Sequence, residues 1–180
     1  MSEKTFVLPE TERLLFRRHL PGDLDAYCEM EADPDFRRFV GGHPRSRGEA
    51  EKRFLPALQP TTNGLAMWAA VYKPENKYVG RFGIYPNFNT EGKPVAGEAT
   101  LGLYLAKAYW GRGLATEAGR AFIDYGFNQL NLKRIVTMIQ VGNDASVSVI
   151  RKLGFTLERL EEGNPRSFYH YELINPNRIF

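Results

Sequence analysis

The sequence predicts a mixed α/β fold, and two observations around residues 98–128 carry that prediction. From Ala99 to Leu105 every second residue is apolar, which is typical of a strand that buries one face. After Gly113 the period changes to that of a helix, whose apolar residues are Leu114, Ala118, Ala121, Phe122 and Tyr125. The chain therefore joins a strand to a helix through a glycine-containing loop, and further strands and helices are predicted on either side.

The composition is that of one globular domain spanning residues 1–180. Hydrophobic residues make up 43% and charged residues 25% of the 180 positions, which are ordinary values for a protein with a sizeable core. The net charge of +3 comes from 24 basic and 21 acidic residues that are scattered along the chain. This dispersed charge gives no indication of a nucleic-acid partner, but a mildly basic surface suits an anionic cofactor.

Other features of the composition disfavour several classes of protein. Cys28 is the only cysteine, and the three histidines belong to no His/Asp/Glu cluster, so we expect neither disulfides nor a metal site. The N-terminal residues lack the apolar segment of a signal peptide, and the longest apolar run, Leu65 to Tyr72, is too short to span a membrane. We therefore expect a cytoplasmic protein without a membrane partner.

The first half of the chain is predicted to mix strands and helices. Asp33-Pro34 ends one helix, and Ser46 with Glu49 has the spacing of a capping box that begins another. The predicted strands are Thr11–Arg18, Leu65–Tyr72 and Tyr78–Tyr85, and the predicted helices begin after Pro21-Gly-Asp23 and span Asp35–Phe39 and Ser46–Leu58. We expect the two later strands to form a hairpin, and residues 86–97 to be a polar loop.

The second half contains a second amphipathic helix beside the central one. Asn143 is a good N-cap, Gly154 suits the C-cap, and one helix face carries Ser146, Val149, Ile150 and Leu153. The remaining predicted elements are strands at Lys133–Val141, Thr156–Leu160 and Ser167–Leu173, followed by a tail at Asn175–Phe180.

The glycine loop after the central strand has the features of a phosphate-binding site. A strand that runs into Gly111-Arg-Gly113 at a helix start directs several backbone N–H groups at one point, with the helix dipole behind them. Each charge-assisted hydrogen bond there can contribute about 1.5–3 kcal/mol. A dinucleotide fingerprint does not fit because position 116 is Thr, and a P-loop does not fit because no Gly-Lys-Ser/Thr occurs. The alternative is a tight turn whose glycines serve only the backbone.

Two stretches, in this order, resemble the acetyl-CoA-binding motifs of the GNAT N-acetyltransferases. The segment 110–118 (WGRGLATEA) resembles the first motif and looks most like the RimJ/RimL-like branch, which acetylates ribosomal-protein N termini. Gly113 and Ala115 match the family pattern, whereas Trp110 stands where Gln or Arg is usual. The segment 143–155, with its Asn-x-x-Ser start and Lys-Leu-Gly-Phe end, resembles the second motif.

The resemblance implies a GNAT fold, with a twisted mixed sheet of six to seven strands and helices on both faces. It also implies acetyl-CoA as co-substrate, which in the family enters where the fourth and fifth strands diverge. Backbone amides near Tyr104 and Leu105 would polarise the thioester carbonyl, and Asn143 would contact the pantetheine arm. The cofactor-binding residues implied in this way are Tyr104, Leu105, Gly111, Arg112, Gly113, Leu114, Ala115, Thr116, Asn143 and Ser146.

The resemblance also points to catalytic residues, although two positions depart from the family. Thr100 stands where a glutamate base is common, so Glu98, one strand repeat earlier on the same face, is the candidate base, with the shift bridged by a water or by a bulge. Ile150 stands where a tyrosine acid is common, and in this branch the role often passes to the serine of the second motif, Ser146. The alternatives are a solvated Glu98 and a Ser146 that bonds only to its own helix. Weaker candidates are His170, Tyr104 and Glu172.

The acceptor is expected against the helices and loop of residues 33–47. Phe36, Phe39 and His43 are candidate substrate contacts, with the alternative that both phenylalanines are core residues and His43 is a solvated loop residue. The implied reaction is acetyl transfer from acetyl-CoA to a primary amine by direct attack on the thioester, by a monomer or a homodimer. Two alternatives stay open, namely a non-catalytic acyl-CoA-binding module and an interaction domain that binds no CoA.

Overall fold

The computed structural model describes residues 6–59, 61 and 63–177, and in these ranges seven strands form one mixed sheet. The strand order is β1-β2-β3-β4-β5-β7-β6. The strands are β1 Leu14–Arg17, β2 Ala66–Tyr72, β3 Lys77–Phe88, β4 Pro94–Leu105, β5 Arg134–Gln140, β6 Thr156–Glu161 and β7 Phe168–Ile174. Neighbouring strands are antiparallel except β4 and β5, which are parallel.

Helices cover both faces of the sheet, which confirms the predicted fold. They are α1 Leu24–Ala32, α2 Pro34–Arg37, α3 Arg47–Phe54, α4 Leu114–Asp124 and α5 Asp144–Lys152. Short 3₁₀ turns at Pro21–Asp23, Leu55–Leu58 and Lys107–Tyr109, and one π turn at Tyr125–Gln129, extend or connect these helices.

The main core lies between the sheet and helices α4 and α5. Leu14 and Phe16 on β1 are buried in it, while Leu15 between them is 38% exposed, so the period of two decides which face packs. The two helices approach closely at Gly119, where a methyl group would lie 2.4 Å from Leu153 Cδ1. A smaller cluster on the other face joins α1 and α3 through Tyr27, Cys28, Ala50 and Phe54.

The local signals for helix ends are confirmed. Ser46 and Glu49 form the predicted capping box, in which the Glu49 carboxylate accepts from the Ser46 N–H at 2.8 Å. Asn143 Oδ1 accepts from the Ser146 N–H at 3.2 Å, and Gly154 has a φ of +89° after α5. These signals were readable because each involves residues within about one helical turn of each other.

The predicted loop at residues 86–97 is wrong at both of its ends. Strand β3 continues to Phe88 and β4 begins at Pro94, so the connection between them spans only 89–93. The pairing of β2 with β3 stops at Ala66 and Ile84, so beyond that point β3 pairs only with β4. Pro86 is tolerated there because one edge of β3 has no partner strand that needs its N–H. The elements β1 and α2 are shorter than predicted, and part of the predicted tail, residues 178–180, lies outside the described residues.

Strands β4 and β5 are paired over a short distance and then separate. Their register contains three residue pairs, Glu98 with Arg134, Ala99 with Ile135 and Thr100 with Val136. Beyond these pairs the Thr137 hydroxyl still donates to the Leu101 carbonyl at 3.1 Å. The rest of β4 lies along an opening, which is the feature of the fold that positions the candidate site.

None of the helices in the described ranges is both long enough and apolar enough to cross a bilayer.

Candidate active site

The opening between β4 and β5 exposes backbone groups of β4. The Ala106 N–H donates to the Val79 carbonyl on the β3 side at 2.8 Å, so the groups of Leu105 face the opposite side, toward β5. The bond from Thr137 to the Leu101 carbonyl agrees with this alternation. Of the two amides predicted to polarise the thioester, the pairing therefore directs that of Leu105 into the opening and that of Tyr104 toward β3.

The glycine loop lies at the end of the same strand. Gly111 and Gly113 have φ values of +73° and +77°, a conformation that favours glycine over residues with a side chain. A methyl group at Gly111 would meet nothing within 4 Å, and one at Gly113 would approach only Arg13 Nη2, at 3.6 Å. The space over both glycines is thus open to a ligand. Trp110 packs beside the loop and donates its indole N–H to the Leu105 carbonyl at 2.7 Å.

The first turn of α4 supplies donors for that space. The first backbone bond inside the helix runs from the Glu117 N–H to the Gly113 carbonyl, so the amides of Leu114, Ala115 and Thr116 precede it. They lie at the positive end of the helix dipole, where an anion is favoured. The structure therefore brings together the loop and helix residues, from Gly111 to Thr116, that the resemblance assigned to the pyrophosphate.

Arg13, just before β1, fixes this loop, and sequence reasoning did not find it. Its guanidinium donates to the Arg112 carbonyl at 2.9 Å and pairs with Glu117 at 2.6 Å. Burial alone would raise the pKa of Glu117, but hydrogen bonds from Thr11 and Arg13 lower it, which keeps the carboxylate charged. The contact joins residues about a hundred positions apart, so no local pattern could reveal it.

The second motif lies across the opening from the first. Asn143 uses its carbonyl oxygen as the α5 cap, which leaves its amide N–H groups for a ligand. Ser146 is half-buried, and its hydroxyl makes no hydrogen bond with the described residues, so the back-bond common for helix serines is not formed. Ile150, which stands where a tyrosine is common in the family, is 3% exposed and packs in the core.

The predicted acceptor residues are in three different environments. Phe36 is buried and meets the Tyr104 ring edge-on, with 6.4 Å between ring centroids. Phe39 is half-buried and lies beside the loop before α5, because a methyl group at Gly142 would be 3.8 Å from its ring. His43 is exposed, and its carbonyl accepts from Arg37 Nε at 3.0 Å, which agrees with a solvated loop residue.

The floor beside these residues contains groups that the sequence did not single out. Arg81 on β3 pairs with Tyr104 on β4, and its guanidinium lies 4.7 Å from the centre of the Tyr104 ring. Gly83 and Gly102 face each other two register positions farther along, where the Met67 side chain occupies the space beside Gly102. Burial raises the pKa of Tyr85, and the neighbouring Tyr104 hydroxyl raises it further, so Tyr85 stays protonated. The signal available in the sequence was Arg81, a charged residue in the middle of an inner strand.

Glu98 lies at the closed end of the paired strands. Its carboxylate accepts from Asn87 Nδ2 at 2.8 Å and lies 3.2 Å from Arg134, which also contacts Glu158 and Glu172 at 2.7 Å each. Measured along the strand, Glu98 is seven residues before Leu105, or about 23 Å. A proton could reach Glu98 from the opening only through intervening water. Among the weaker candidates, Glu172 is bound to Arg134, and His170 is bound to Glu161 at 2.8 Å.

These residues fit CoA. A pyrophosphate needs converging N–H donors and open space, which the loop with its two positive-φ glycines provides. A thin pantetheine arm needs exposed strand amides, which the separation of β4 and β5 provides. When bound, acetyl-CoA would supply the activated acetyl group, and the chain would position it.

Comparison with known proteins identifies the family. The sequence pattern described as "Acetyltransferase (GNAT) domain" matches residues 13–156. YkkB, an uncharacterized protein of Bacillus subtilis (strain 168), is 32% identical over 122 residues, which is 68% of this chain and 69% of YkkB. The uncharacterized N-acetyltransferase p20 of Bacillus licheniformis is 29% identical over 152 residues, which is 83% of each chain.

Solved structures share the fold. The GNAT acetyltransferase of Bacillus anthracis superposes with a TM-score of 0.79 at 23% identity, over 94% of this chain and 99% of that one. RimL, a ribosomal L7/L12 α-N-protein acetyltransferase in complex with coenzyme A, gives 0.76 at 18% identity, over 93% and 97%. Spermidine N-acetyltransferase of Vibrio cholerae in complex with CoA and spermine gives 0.73 at 18% identity, over 91% and 96%.

The predicted fold, the family and its cofactor are confirmed together. RimL is a member of the branch that the motifs resemble, and GNAT enzymes transfer the acetyl group of acetyl-CoA to an amine. The family pattern spans β1 to the start of β6 and so includes both strands of the opening, the glycine loop and the second motif. This chain belongs to the GNAT N-acetyltransferase family.

Proposed function

We propose that this enzyme acetylates a primary amine of low pKa, either a peptide N terminus or an amino-sugar amine, in preference to a lysine side chain. The observation that carries the proposal is the set of residues around the opening between β4 and β5, because the two positions that often hold the acid and the base in the family lack titratable groups here. Thr100 and Ile150 stand at the positions where the family often has titratable groups, and neither can accept a proton at neutral pH.

The free energy of deprotonating the acceptor separates the amine classes. A lysine ammonium titrates near 10.4, so making it neutral at pH 7 costs about 4.6 kcal/mol. A peptide α-amine titrates near 7.7–8.0, and its cost is only about 1–1.4 kcal/mol. A site that removes the proton through water is adequate for the smaller cost and poorly suited to the larger one.

The Leu105 amide, the Glu98 carboxylate and the Ser146 hydroxyl each have one role in the proposed reaction. The Leu105 N–H polarises the thioester carbonyl, as an oxyanion hole does. Arg134 and Asn87 hold the Glu98 carboxylate, which receives the amine proton through water. The Ser146 hydroxyl, which has no bond within the described chain, gives a proton to the departing thiolate and regains one from water.

Two structural neighbours act on different classes of amine. RimL is a ribosomal L7/L12 α-N-protein acetyltransferase, and the Vibrio cholerae enzyme is a spermidine N-acetyltransferase. The motifs of this chain resemble the branch of the first protein. The charges described in the next section also disfavour a polycationic acceptor.

The test is an acceptor panel with release of free thiol as the readout. Peptides that start with Ala or Ser should be acetylated faster than a peptide with a blocked N terminus and one free lysine. If the blocked lysine peptide is the better substrate, the argument from amine pKa is wrong. If acetyl-CoA binds but no amine releases thiol, the chain is a non-catalytic acyl-CoA-binding module.

The role of Glu98 has its own test. Glu98→Gln should lower the turnover number several-fold at pH 7 and less at pH 9, where more of the acceptor is already neutral. Glu158→Gln is the matched control, since Glu158 also contacts Arg134, at 2.7 Å, but lies on β6. Equal pH profiles for Glu98→Gln and the parent would place the base elsewhere.

A further inference from the structure

One buried carboxylate on α1 faces three guanidinium groups. Glu31 is fully buried, and its oxygens lie 3.2 Å from Arg37 Nη1, 2.5 Å from Arg45 Nη1 and 2.7 Å from Arg81 Nη2. We call these four residues the arginine cluster. Three positive charges and one negative charge leave a surplus of two positive charges in a region that is largely shielded from water.

The described part of the chain does not neutralise this surplus. Within it, Glu31 is the one carboxylate in an ion pair with any of the three arginines. Arg81 Nη1 is buried without a hydrogen-bond partner among the described residues, although a guanidinium nitrogen has N–H groups to donate. Burial lowers the pKa of Arg37, and repulsion from Arg45 and Arg81 contributes, although Glu31 opposes it. A fold that needed only to pair Glu31 would not require three arginines.

The arginine cluster lies beside Tyr104 and Phe36, where the acceptor is expected. The Arg81 guanidinium lies 4.7 Å from the Tyr104 ring centre and 6.0 Å from that of Phe36. The Arg45 and Arg81 side chains keep 14% and 13% of their surface exposed, so part of each side chain borders solvent. Arg166 from the loop before β7 donates to the Gly41 carbonyl at 2.9 Å, which adds a further positive charge at the rim.

We propose that the arginine cluster binds a carboxylate of the acceptor, so that the substrate class is an acidic peptide N terminus. The inference rests on the function proposed above and narrows it. Guanidinium groups bind carboxylates in a planar, two-pronged geometry, and Arg81 Nη1 is a buried nitrogen that has no partner among the described residues. The same surplus charge repels a second amine on the acceptor, which excludes polyamines as good substrates.

Strand geometry sets the position of the carboxylate in the acceptor. Arg81 is directly opposite Tyr104, one strand spacing of about 4.8 Å away, and its side chain adds about 6 Å above the sheet. These displacements are perpendicular, so the guanidinium is about 8 Å from the Leu105 amide that holds the reacting carbonyl. An extended peptide covers about 3.3–3.6 Å per residue, so the acidic side chain belongs at the second or third position.

The first experiment uses the unmodified chain and matched acceptors. The tetrapeptide amides Ala-Glu-Ala-Ala and Ala-Ala-Glu-Ala are compared with the same peptides carrying Gln or Lys in place of Glu, and kcat/KM is measured with acetyl-CoA. We expect at least one Glu peptide to exceed its Gln counterpart about tenfold or more, chiefly through KM, and the Lys peptides to be the poorest. If both Glu peptides match their Gln counterparts, the inference is overturned and the proposed function stands. If no amine is acetylated, both fail.

The second experiment assigns the preference to the cluster. Arg45→Gln should reduce the Glu-to-Gln ratio of kcat/KM about fivefold or more, because it removes one of the two exposed guanidiniums. Arg47→Gln is the matched control, since Arg47 is two residues away and forms exposed pairs with Asp25 and Glu51. An unchanged ratio in a folded Arg45→Gln protein contradicts the assignment. If that variant does not fold, the peptide comparison with the unmodified chain decides the question.

Discussion

Gly113 has to meet two requirements that only glycine satisfies. Its φ of +77° is strained for any residue with a side chain, and its open side is where the loop would contact phosphate. The sequence predicted this role because both requirements are local to the loop. It could not predict Arg81 and Glu31, since their contact joins residues fifty positions apart on different elements.

The phosphate role of Gly113 can be separated from its backbone role. Gly113→Val should weaken acetyl-CoA binding by about an order of magnitude or more, because the side chain enters the phosphate space and the backbone moves. Gly92→Val is the matched control, since Gly92 has a φ of +73° and open surroundings in the turn between β3 and β4. Calorimetry should show that both variants lose a similar amount of stability, whereas only Gly113→Val loses affinity for CoA. Normal affinity in both variants would remove the loop from the site.

At the scale of elements, the helix ends with capping residues were predictable and the strand ends were not. Capping residues act within one turn, so Ser46, Glu49 and Asn143 could be assigned from spacing alone. The extent of β3 and β4 depends on which strand lies on either side, as Pro86 shows, and the residues from 86 to 97 look polar and loop-like by themselves. Pairing between elements therefore determines more of the site than local propensity does.

Helix α1 is anchored to the sheet through Glu31, which gives a prediction about stability. Glu31→Gln should lower the free energy of unfolding by roughly 3–5 kcal/mol, because it leaves three guanidiniums without their carboxylate. Glu51→Gln, which removes one exposed partner of Arg47, should change it little. Urea denaturation of both variants measures the difference. A loss for Glu31→Gln no larger than that for Glu51→Gln would mean that the cluster is well hydrated.

For the whole molecule, the layer order followed from the family resemblance, while the buried polar groups did not. His19, just after β1, is 4% exposed, and its ring nitrogens have no hydrogen-bond partner among the described residues. Aromatic rings of Tyr27, Phe54 and Tyr78 surround it. Desolvation lowers the pKa of His19 to about 4, with Asp23 opposing the shift and Arg81 and Arg17 adding to it.

This histidine makes the stability of the protein sensitive to acid. The unfolded state binds a proton near pH 6.5 and the folded state only near 4, so stability is complete above 6.5 and is lost as the pH falls between these values. The loss from His19 alone is about 3 kcal/mol. His19→Phe should remove that part of the difference between pH 7.5 and pH 4.5 in urea denaturation, whereas His43→Gln, at an exposed histidine, should not. Parallel pH profiles for His19→Phe and the parent would show that His19 is hydrated.

The short contact between β4 and β5 also divides the sheet into two parts of unequal independence. Three residue pairs connect β1–β4 to β5–β7, whereas β5 and β7 share seven pairs within their own part. The two parts can therefore open at this seam in a local fluctuation that costs less than global unfolding. Backbone amides at the seam should exchange with solvent deuterium through that opening.

A ligand that binds between β4 and β5 would hold the two parts of the sheet, β1–β4 and β5–β7, together. At a hundredfold excess over its Kd, bound acetyl-CoA adds about 2.7 kcal/mol to any opening that releases it, which slows exchange about a hundredfold. The slowing should be largest along β5 and the end of β4, and small in β1 and β2, when followed by mass spectrometry. Uniform slowing over all strands would show that the sheet opens only as one unit. If the slowing is confined to β5 and the end of β4, the opening that binds acetyl-CoA is also the place where the two parts of the sheet separate.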